Sequence, residues 1–242
     1  MNKKKNSLSD STSQILNISY KLENAFRSIA PIDVEFSGGN IQVVSGSLYP
    51  VEYDTIRKAA PKRKAEFRAG RIHARNALRK IGCPRLPIRT GSNREPLWPS
   101  GFTGSISHSA ELCCAVAALS DNYMGLGVDL EHTHVLDADL IDYVCDSEEY
   151  ASIASELRLK NQLTDPGKLI FSIKEAVFKS YFPISNNWLG FRDLWAEIDA
   201  TSSTFVVRVV KPCAVFGGLH WIRGRWTIFE EHVLTVAEIS KS

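Results

Sequence analysis

Two carboxylates lie close together in the segment G-V-D-L-E at residues 127–131. In a β-strand, residues i and i+2 project to the same side, so Asp129 and Glu131 would share one face. Carboxylates at that spacing repel each other, and a hard divalent cation relieves the repulsion. Two or three carboxylates, completed by phosphate oxygens and water, make a typical magnesium site. The alternative interpretation is an exposed strand end with two solvated acids.

A second charged group lies in the apolar segment I-F-S-I-K-E-A-V-F-K at residues 170–179. We predict a helix over residues 168–182 that ends before Pro183. At 100° per residue its core stripe consists of Ile170, Ile173, Val177 and Tyr181. Glu175 and Lys179 lie on the opposite side, one turn apart. Either they form a solvated salt bridge, worth about 0.3–0.5 kcal/mol, or they belong to a charged site assembled with distant residues.

The third charged group is basic and reads K-R-K-A-E-F-R-A-G-R-I-H-A-R-N-A-L-R-K at residues 62–80. We predict a helix that begins at Pro61 and reaches about Ile81. One narrow stripe of this helix carries Lys64, Arg68, Arg71, Arg75 and Arg79. Like charges one turn apart repel, and arginine forks suit phosphate oxygens, so a multiply charged anion would stabilise the stripe. The alternatives are a solvated basic face and a non-enzymatic nucleic-acid-binding module.

The segments that position these groups mix helices with strands and predict an α+β (mixed α/β) fold. Residues 15–60 indicate short strands and turns. The apolar runs at residues 112–119 and 126–131 flank a turn with Gly and Asn, which predicts a hairpin. Residues 137–160 indicate a helix, and the last third of the chain alternates as a small antiparallel sheet would.

Composition excludes several classes of protein. The chain has 242 residues and a net charge of +2, so it can bury a sizeable core and indicates no globally polyanionic partner. No apolar run is long enough to span a bilayer, and residues 1–14 lack the apolar core of a secretory signal and predict a flexible tail. The five cysteines show no C-x-x-C spacing, which is typical of a reducing cytoplasm and argues against a disulfide framework.

The three groups together indicate a polyphosphate ligand with magnesium, yet neither a Walker loop nor a dinucleotide G-x-G-x-x-G is present. G-S-I-S-H-S, then G-V-D-L-E, then F-S-I-K-E-A-V-F-K resembles the 4′-phosphopantetheinyl transferase superfamily. E-F-R-A-G-R-I-H-A-R-N-A-L, R-E-P-L-W-P and F-P-x-x-x-x-W-L-G-F resemble its enterobactin-synthase component D branch. The motifs run from about residue 61 to 193 and are specific through their common order.

The resemblance implies a reaction and an architecture. Such enzymes move the phosphopantetheine arm of coenzyme A, their substrate, to a serine of an apo carrier protein and release adenosine 3′,5′-bisphosphate. The family fold is a pseudo-dimer of two similar lobes with the active site in the cleft between them. We therefore expect an N-terminal lobe at residues 15–120 and a C-terminal lobe at residues 121–242.

The resemblance also assigns roles to individual residues. It implies three ligands for Mg²⁺ (or Mn²⁺), namely Asp129, Glu131 and Glu175. It implies coenzyme A contacts at Arg63, Arg71, Arg75, Ser107, His108, Lys174 and Lys179. Arg94 stands beside Asn93, where some relatives carry a lysine, and is expected to keep that basic function. For the base that takes the carrier serine proton, Glu175 through a water and Glu149 are the two candidates.

The branch further suggests partners and a place in the cell. Aryl, peptidyl or acyl carrier proteins are the expected partners, in siderophore (enterobactin-like) or other non-ribosomal peptide biosynthesis. We expect a cytoplasmic bacterial monomer that does not bind nucleic acid and that can associate with a synthetase complex or peripherally with the membrane.

Overall fold

The computed structural model describes residues 17–160, 164–211 and 217–241. The predicted flexible tail at residues 1–14, and Cys213, lie outside these ranges. The helices are α1 at residues 17–29, α2 (Pro50–Ile56), α3 (Pro61–Lys80), α4 (Ala138–Val144), α5 (Ser147–Leu159) and α6 (Pro166–Ser185). The strands are β1 (Glu35–Asn40), β2 (Arg89–Thr90), β3 (Pro96–Leu97), β4 (Phe102–Ser109), β5 (Leu112–Leu119), β6 (Tyr123–His132), β7 (Leu194–Asp199), β8 (Thr204–Val209), β9 (Trp221–Phe229) and β10 (His232–Ser240). The predicted α+β class is confirmed.

Two antiparallel sheets carry the fold. One has the order β1-β5-β4 and the other β6-β10-β9-β8-β7, while β2 and β3 form a short separate ribbon. Apolar side chains of α1, β1, β5, β6 and β10 share one core, so the two sheets pack against each other. The predicted basic helix is confirmed as α3, and its alanines at positions 74 and 77 pack on β5.

The predicted hairpin between β5 and β6 is wrong, because the two strands belong to different sheets. β5 pairs with β1 and β4, and β6 pairs with β10, which comes more than a hundred residues later. Both runs are apolar enough to be central strands, and hydrophobic pattern alone does not choose a partner. Three boundaries also differ. Residues 15–60 include helices α1 and α2 beside the one strand β1, residues 137–160 divide into α4 and α5, and α6 continues through Pro183.

Close backbone contact joins β6 to α6. A Cβ atom at Gly127 would lie 1.7 Å from the carbonyl oxygen of Ala176, and one at Gly125 would lie 2.0 Å from that of Ser180. Only glycine permits this approach, which explains the first letter of G-V-D-L-E. The predicted core stripe of α6 is confirmed, since its four members are fully buried. The opposite side of the helix therefore lies near the polar side chains of β6.

Two further observations concern the cysteines and the possibility of a membrane-spanning helix. Cys83, Cys113, Cys114 and Cys145 are buried free thiols. Within the described part of the chain, no helix is both long and apolar enough to cross a membrane.

Candidate active site

A buried carboxylate, Asp129, lies where β4, β6 and α6 meet. Its side chain is only 3% exposed. Its Oδ1 atom accepts hydrogen bonds from Lys179 Nζ at 2.5 Å and from Ser107 Oγ at 2.9 Å. Its Oδ2 atom is buried without a hydrogen-bond partner. An unpaired buried carboxylate oxygen is costly, so this atom indicates that a positively charged ligand binds here.

Glu131 lies two residues along the same strand and interacts electrostatically with Asp129. Burial, and then the Asp129 charge, raise the pKa of Glu131 to about 7. Its Oε2 atom lies 3.5 Å from Lys168 Nζ, so each of the two acids on β6 is paired with a lysine of α6. The part of this pKa shift that comes from the Asp129 charge reflects a repulsion that a divalent cation would relieve.

Glu175 is half-buried on α6. Burial raises its pKa above the ordinary value, although the charge of Lys179 opposes the shift. The described residues contain no group of three or more His, Cys, Asp or Glu side chains arranged to hold a metal ion. The carboxylates of Asp129 and Glu131 nevertheless suit a hard cation that takes its other ligands from phosphate and water. The donor set thus fits a hard cation, and Glu175 lies close enough to Asp129 for the charges of the two carboxylates to interact.

The two remaining predicted site residues of this half, Lys174 and Glu149, form a buried ion pair of their own. Lys174 Nζ donates to Glu149 Oε2 at 2.7 Å, to the Val144 carbonyl at 2.9 Å and to the Phe191 carbonyl at 3.0 Å. Glu149 Oε1 accepts from the Ala196 amide at 2.6 Å. Burial lowers the pKa of Lys174 and raises that of Glu149.

All three ammonium protons of Lys174 are therefore used inside the protein. Glu149 is 2% exposed and each of its oxygens already accepts a hydrogen bond inside the protein, so its burial keeps an incoming hydroxyl away from it. The structure does not bring this pair to Asp129. Coenzyme A contact by Lys174 and base catalysis by Glu149 do not fit these contacts, and both residues instead fasten α5, α6 and β7 together.

Arg63 on α3 and His108 on β4 form the exposed end of a basic group. The Arg63 guanidinium lies 3.1 Å from His108 Nε2, and Glu66 Oε2 lies 3.6 Å from the first and 3.8 Å from the second. Burial is the main cause that lowers the pKa of His108, and Glu66 opposes it. Ser107 and His108 point to opposite sides of β4, as neighbouring strand residues must.

Arg71 is the buried member of the basic group. It donates to Thr90 Oγ1 at 3.0 Å, and its guanidinium lies 4.3 Å from the centre of the Phe67 ring. Burial lowers the pKa of Arg71 to about 10, and its Nε atom has no partner. A guanidinium that is 5% exposed and incompletely paired is prepared to bind an anion.

Two other arginines of the basic stripe, Arg75 and Arg68, have partners inside the protein. Arg75 donates to both carboxylate oxygens of the buried Glu52, at 2.7 and 2.6 Å, and Arg68 donates to the carbonyls of Val44 and Gly46. Arg75 thus has its charge neutralised, which does not fit the predicted coenzyme A contact.

An apolar pocket of about 230 Å³ opens beside Lys179. Its aromatic wall consists of Phe178, Phe182 and Trp188. The ring centroids of Phe178 and Trp188 lie 4.9 Å apart. Arg94, in a left-handed turn with φ of 70°, lies at its rim. Sequence reasoning missed this wall, as it missed Glu66, Thr90 and Lys168. The spacing of Phe178 and Phe182, one helical turn apart beside Lys179, was the available signal.

Comparison with known proteins points to one family. The model of the 4′-phosphopantetheinyl transferase N-terminal domain matches residues 51–118, and that of the 4′-phosphopantetheinyl transferase superfamily matches residues 125–237. A 4′-phosphopantetheinyl transferase of Mycobacterium tuberculosis is 34% identical over 192 residues, which cover 77% of this chain and 83% of the relative. One of Streptomyces mobaraensis is 32% identical, covering 80% of this chain and 79% of its own. Enterobactin synthase component D of Salmonella typhi is 38% identical over 55% of each chain.

Proposed function

This chain belongs to the 4′-phosphopantetheinyl transferase superfamily, and we propose that the group around Asp129 is where it performs the family's reaction. It is a transferase that moves the phosphopantetheine arm of coenzyme A to a serine of a carrier protein. Phosphoryl transfer depends mainly on positioning the phosphates and stabilising their charge. The site offers the groups for both tasks.

The nucleotide end of coenzyme A binds on α3 and β4. Arg71 and Arg63 hold the 3′-phosphate through charged hydrogen bonds, and His108 assists them. The orphaned Nε of Arg71 supports this assignment, because a buried donor needs an acceptor. The pantetheine arm lies in the apolar pocket with Trp188 at its wall, and Arg94 is placed at the rim to meet a phosphate oxygen.

The pyrophosphate lies between Lys179, Asp129 and Glu131. Asp129 through Oδ2, together with Glu131, would hold a Mg²⁺ or Mn²⁺ ion. When bound, such an ion neutralises charge on the phosphate oxygens and so favours attack at phosphorus. Unlike Lys174, Lys179 has a side chain that is 25% exposed, and it can exchange its long 3.4 Å contact with the Val128 carbonyl for a phosphate oxygen. Phosphate oxygens become more negative as the bond to the leaving group breaks, so Lys179 stabilises the transition state more than the ground state.

The carrier serine must lose its proton as it attacks. Glu175 is the better candidate base, because its side chain is only half-buried and lies one helical turn from Lys179, whereas Glu149 is buried in an ion pair. The serine oxygen bonds to the phosphorus of the phosphopantetheine phosphate, and the bond from that phosphorus to the other phosphate breaks. The other phosphate stays on the nucleotide, which leaves as adenosine 3′,5′-bisphosphate.

The single observation that carries the assignment is the contact of Lys179 with Asp129, whose second oxygen is orphaned. Asp129→Asn should abolish transfer and leave the fold intact, because the amide removes one cation ligand but little volume. The assay incubates each protein with coenzyme A, a divalent ion and an apo carrier, and weighs the products. Asp121→Asn, in the exposed turn before β6, is the matched control. Near-normal transfer by Asp129→Asn would refute the site.

A panel of apo carriers in the same assay tests the physiological partner. We propose aryl or peptidyl carriers of a siderophore or other non-ribosomal pathway, since two relatives named enterobactin synthase component D are 38% and 35% identical to this chain over 55% and 61% of its length. Acyl carriers of fatty-acid synthesis form the comparison group. We also propose that the protein acts as a cytoplasmic monomer that can associate with a synthetase complex or with the membrane surface.

A further inference from the structure

Ser107 reaches from one sheet to the other. It lies on β4, whose strand partner is β5, yet its side chain contacts β6 and α6. The residue is 4% exposed. Its Oγ atom donates to Asp129 Oδ1 at 2.9 Å and accepts from the Leu130 amide at 3.2 Å and from Lys179 Nζ at 3.2 Å.

These contacts use the whole hydrogen-bonding capacity of the hydroxyl group. A serine hydroxyl has one proton to donate and two lone pairs to accept with. The proton goes to Asp129, and the lone pairs go to Leu130 and Lys179. No donor remains for a phosphate oxygen of coenzyme A, so the coenzyme contact expected for Ser107 does not fit this geometry.

The same contacts decide how Asp129 presents its two oxygens. Ser107 and Lys179 both donate to Oδ1, and that atom is thereby saturated. Oδ2 receives no hydrogen bond although it is buried. A carboxylate that is held through one oxygen and bare at the other is oriented for a cation.

We propose that Ser107 is a positioning residue that orients Asp129 toward the divalent ion and makes no contact with coenzyme A. This inference rests on the proposed function, because it assigns Ser107 to the ion site of that function. The neighbouring His108 points to the other side of β4 and meets Arg63. The two neighbouring residues of G-S-I-S-H-S therefore act at different places. Ser107 belongs to the ion site, and His108 belongs to the site that binds the nucleotide end of coenzyme A.

Removing the hydroxyl has a specific consequence. In Ser107→Ala the Leu130 amide loses its acceptor, and Asp129 loses the donor that holds Oδ1. The carboxylate can then turn and give both oxygens to Lys179, which leaves none free for a cation. Loss of such an outer hydrogen bond typically weakens metal binding by about 10–100-fold.

The test measures binding without catalysis. Mn²⁺ affinity is measured by calorimetry with coenzyme A at saturation and no carrier present, and coenzyme A affinity is measured separately in a chelator. The proteins are wild type, Ser107→Ala, Ser107→Thr and the control Ser109→Ala, which lies two residues further on β4 and has no hydrogen bond described for its side chain. Thermal unfolding of each variant shows whether it is folded.

We expect Ser107→Ala to lose about 10–100-fold in Mn²⁺ affinity, with coenzyme A affinity in chelator within about twofold of wild type. Ser107→Thr, which keeps the hydroxyl, and Ser109→Ala should both bind Mn²⁺ nearly as wild type does. If Ser107→Ala instead binds coenzyme A more weakly and Mn²⁺ as tightly as wild type does, the proposal is overturned. It is also overturned if the wild-type protein binds no Mn²⁺. Ser107-dependent Mn²⁺ binding in a protein that modifies no carrier keeps this inference and refutes the proposed function.

Discussion

The buried pair of Lys174 and Glu149 tests whether Lys174 stabilises the fold, as its contacts indicate, or binds coenzyme A, as its motif predicts. Replacing Lys174 by Met keeps the length of the side chain and removes its charge. The side chains are 0% and 2% exposed, so the remaining carboxylate of Glu149 would be buried with the Ala196 amide as its one partner. Removing one member of a buried ion pair costs about 3–5 kcal/mol. The Val144 and Phe191 carbonyls lose a donor as well.

A loss of that size is large beside the roughly 5–15 kcal/mol that stabilises a typical domain. We therefore expect Lys174→Met to lower the free energy of unfolding by about 3–5 kcal/mol. The double variant Lys174→Met with Glu149→Leu should recover a substantial part, because no unpaired charge remains. Urea unfolding followed by tryptophan fluorescence measures both, with Trp226 as a buried reporter.

The same proteins decide what the lysine does. If Lys174 is structural, folded Lys174→Met at low temperature should bind coenzyme A within about twofold of wild type, since no phosphate contact is lost. A variant with wild-type stability but at least tenfold weaker coenzyme A binding would refute this reasoning. That result would return Lys174 to the coenzyme site expected from its motif.

Three further predictions follow from other parts of the fold. Gly127→Ala should destabilise the protein by about 3 kcal/mol or more, because its Cβ would overlap the Ala176 carbonyl. Gly190→Ala is the control, since its Cβ meets only an ordinary contact at 3.5 Å. Equal urea midpoints for the two variants would contradict the close approach of Gly127 to α6. Burial lowers the pKa of His73 from 6.5 to about 4, so the unfolded state binds the extra proton and stability should fall as pH drops through that window. The loss is at most roughly 3 kcal/mol, and a His73→Gln variant with the wild-type pH slope would exclude it. Arg71→Ala should weaken coenzyme A more than 3′-dephospho-coenzyme A by roughly 1.5–3 kcal/mol; equal losses in a binding titration would move Arg71 away from the 3′-phosphate.

The amino-acid sequence by itself determined the local elements and the chemistry that they carry. The proline at position 61 indicated the start of α3, the period of 3.6 residues identified the buried stripe of α6, and a continuous apolar run identified β6 as a strand. The order of the motifs identified the family, which the comparisons confirm. These features depend on residues that are near each other in the chain, so a pattern of side chains is sufficient to predict them.

Only the tertiary structure decided which charged groups meet. Nothing in the sequence shows that Arg75 pairs with Glu52, Lys174 with Glu149 and Lys179 with Asp129, while the Nε atom of Arg71 has no partner. Pairing of β6 with β10 instead of β5 placed Asp129 against α6, where Lys179 and Ser107 meet it from elements 50 and 22 residues away. Such partners are chosen by strand pairing and by packing between sheets. Both depend on the whole chain at once, because many apolar strands can pair in more than one way while a single arrangement buries all of them.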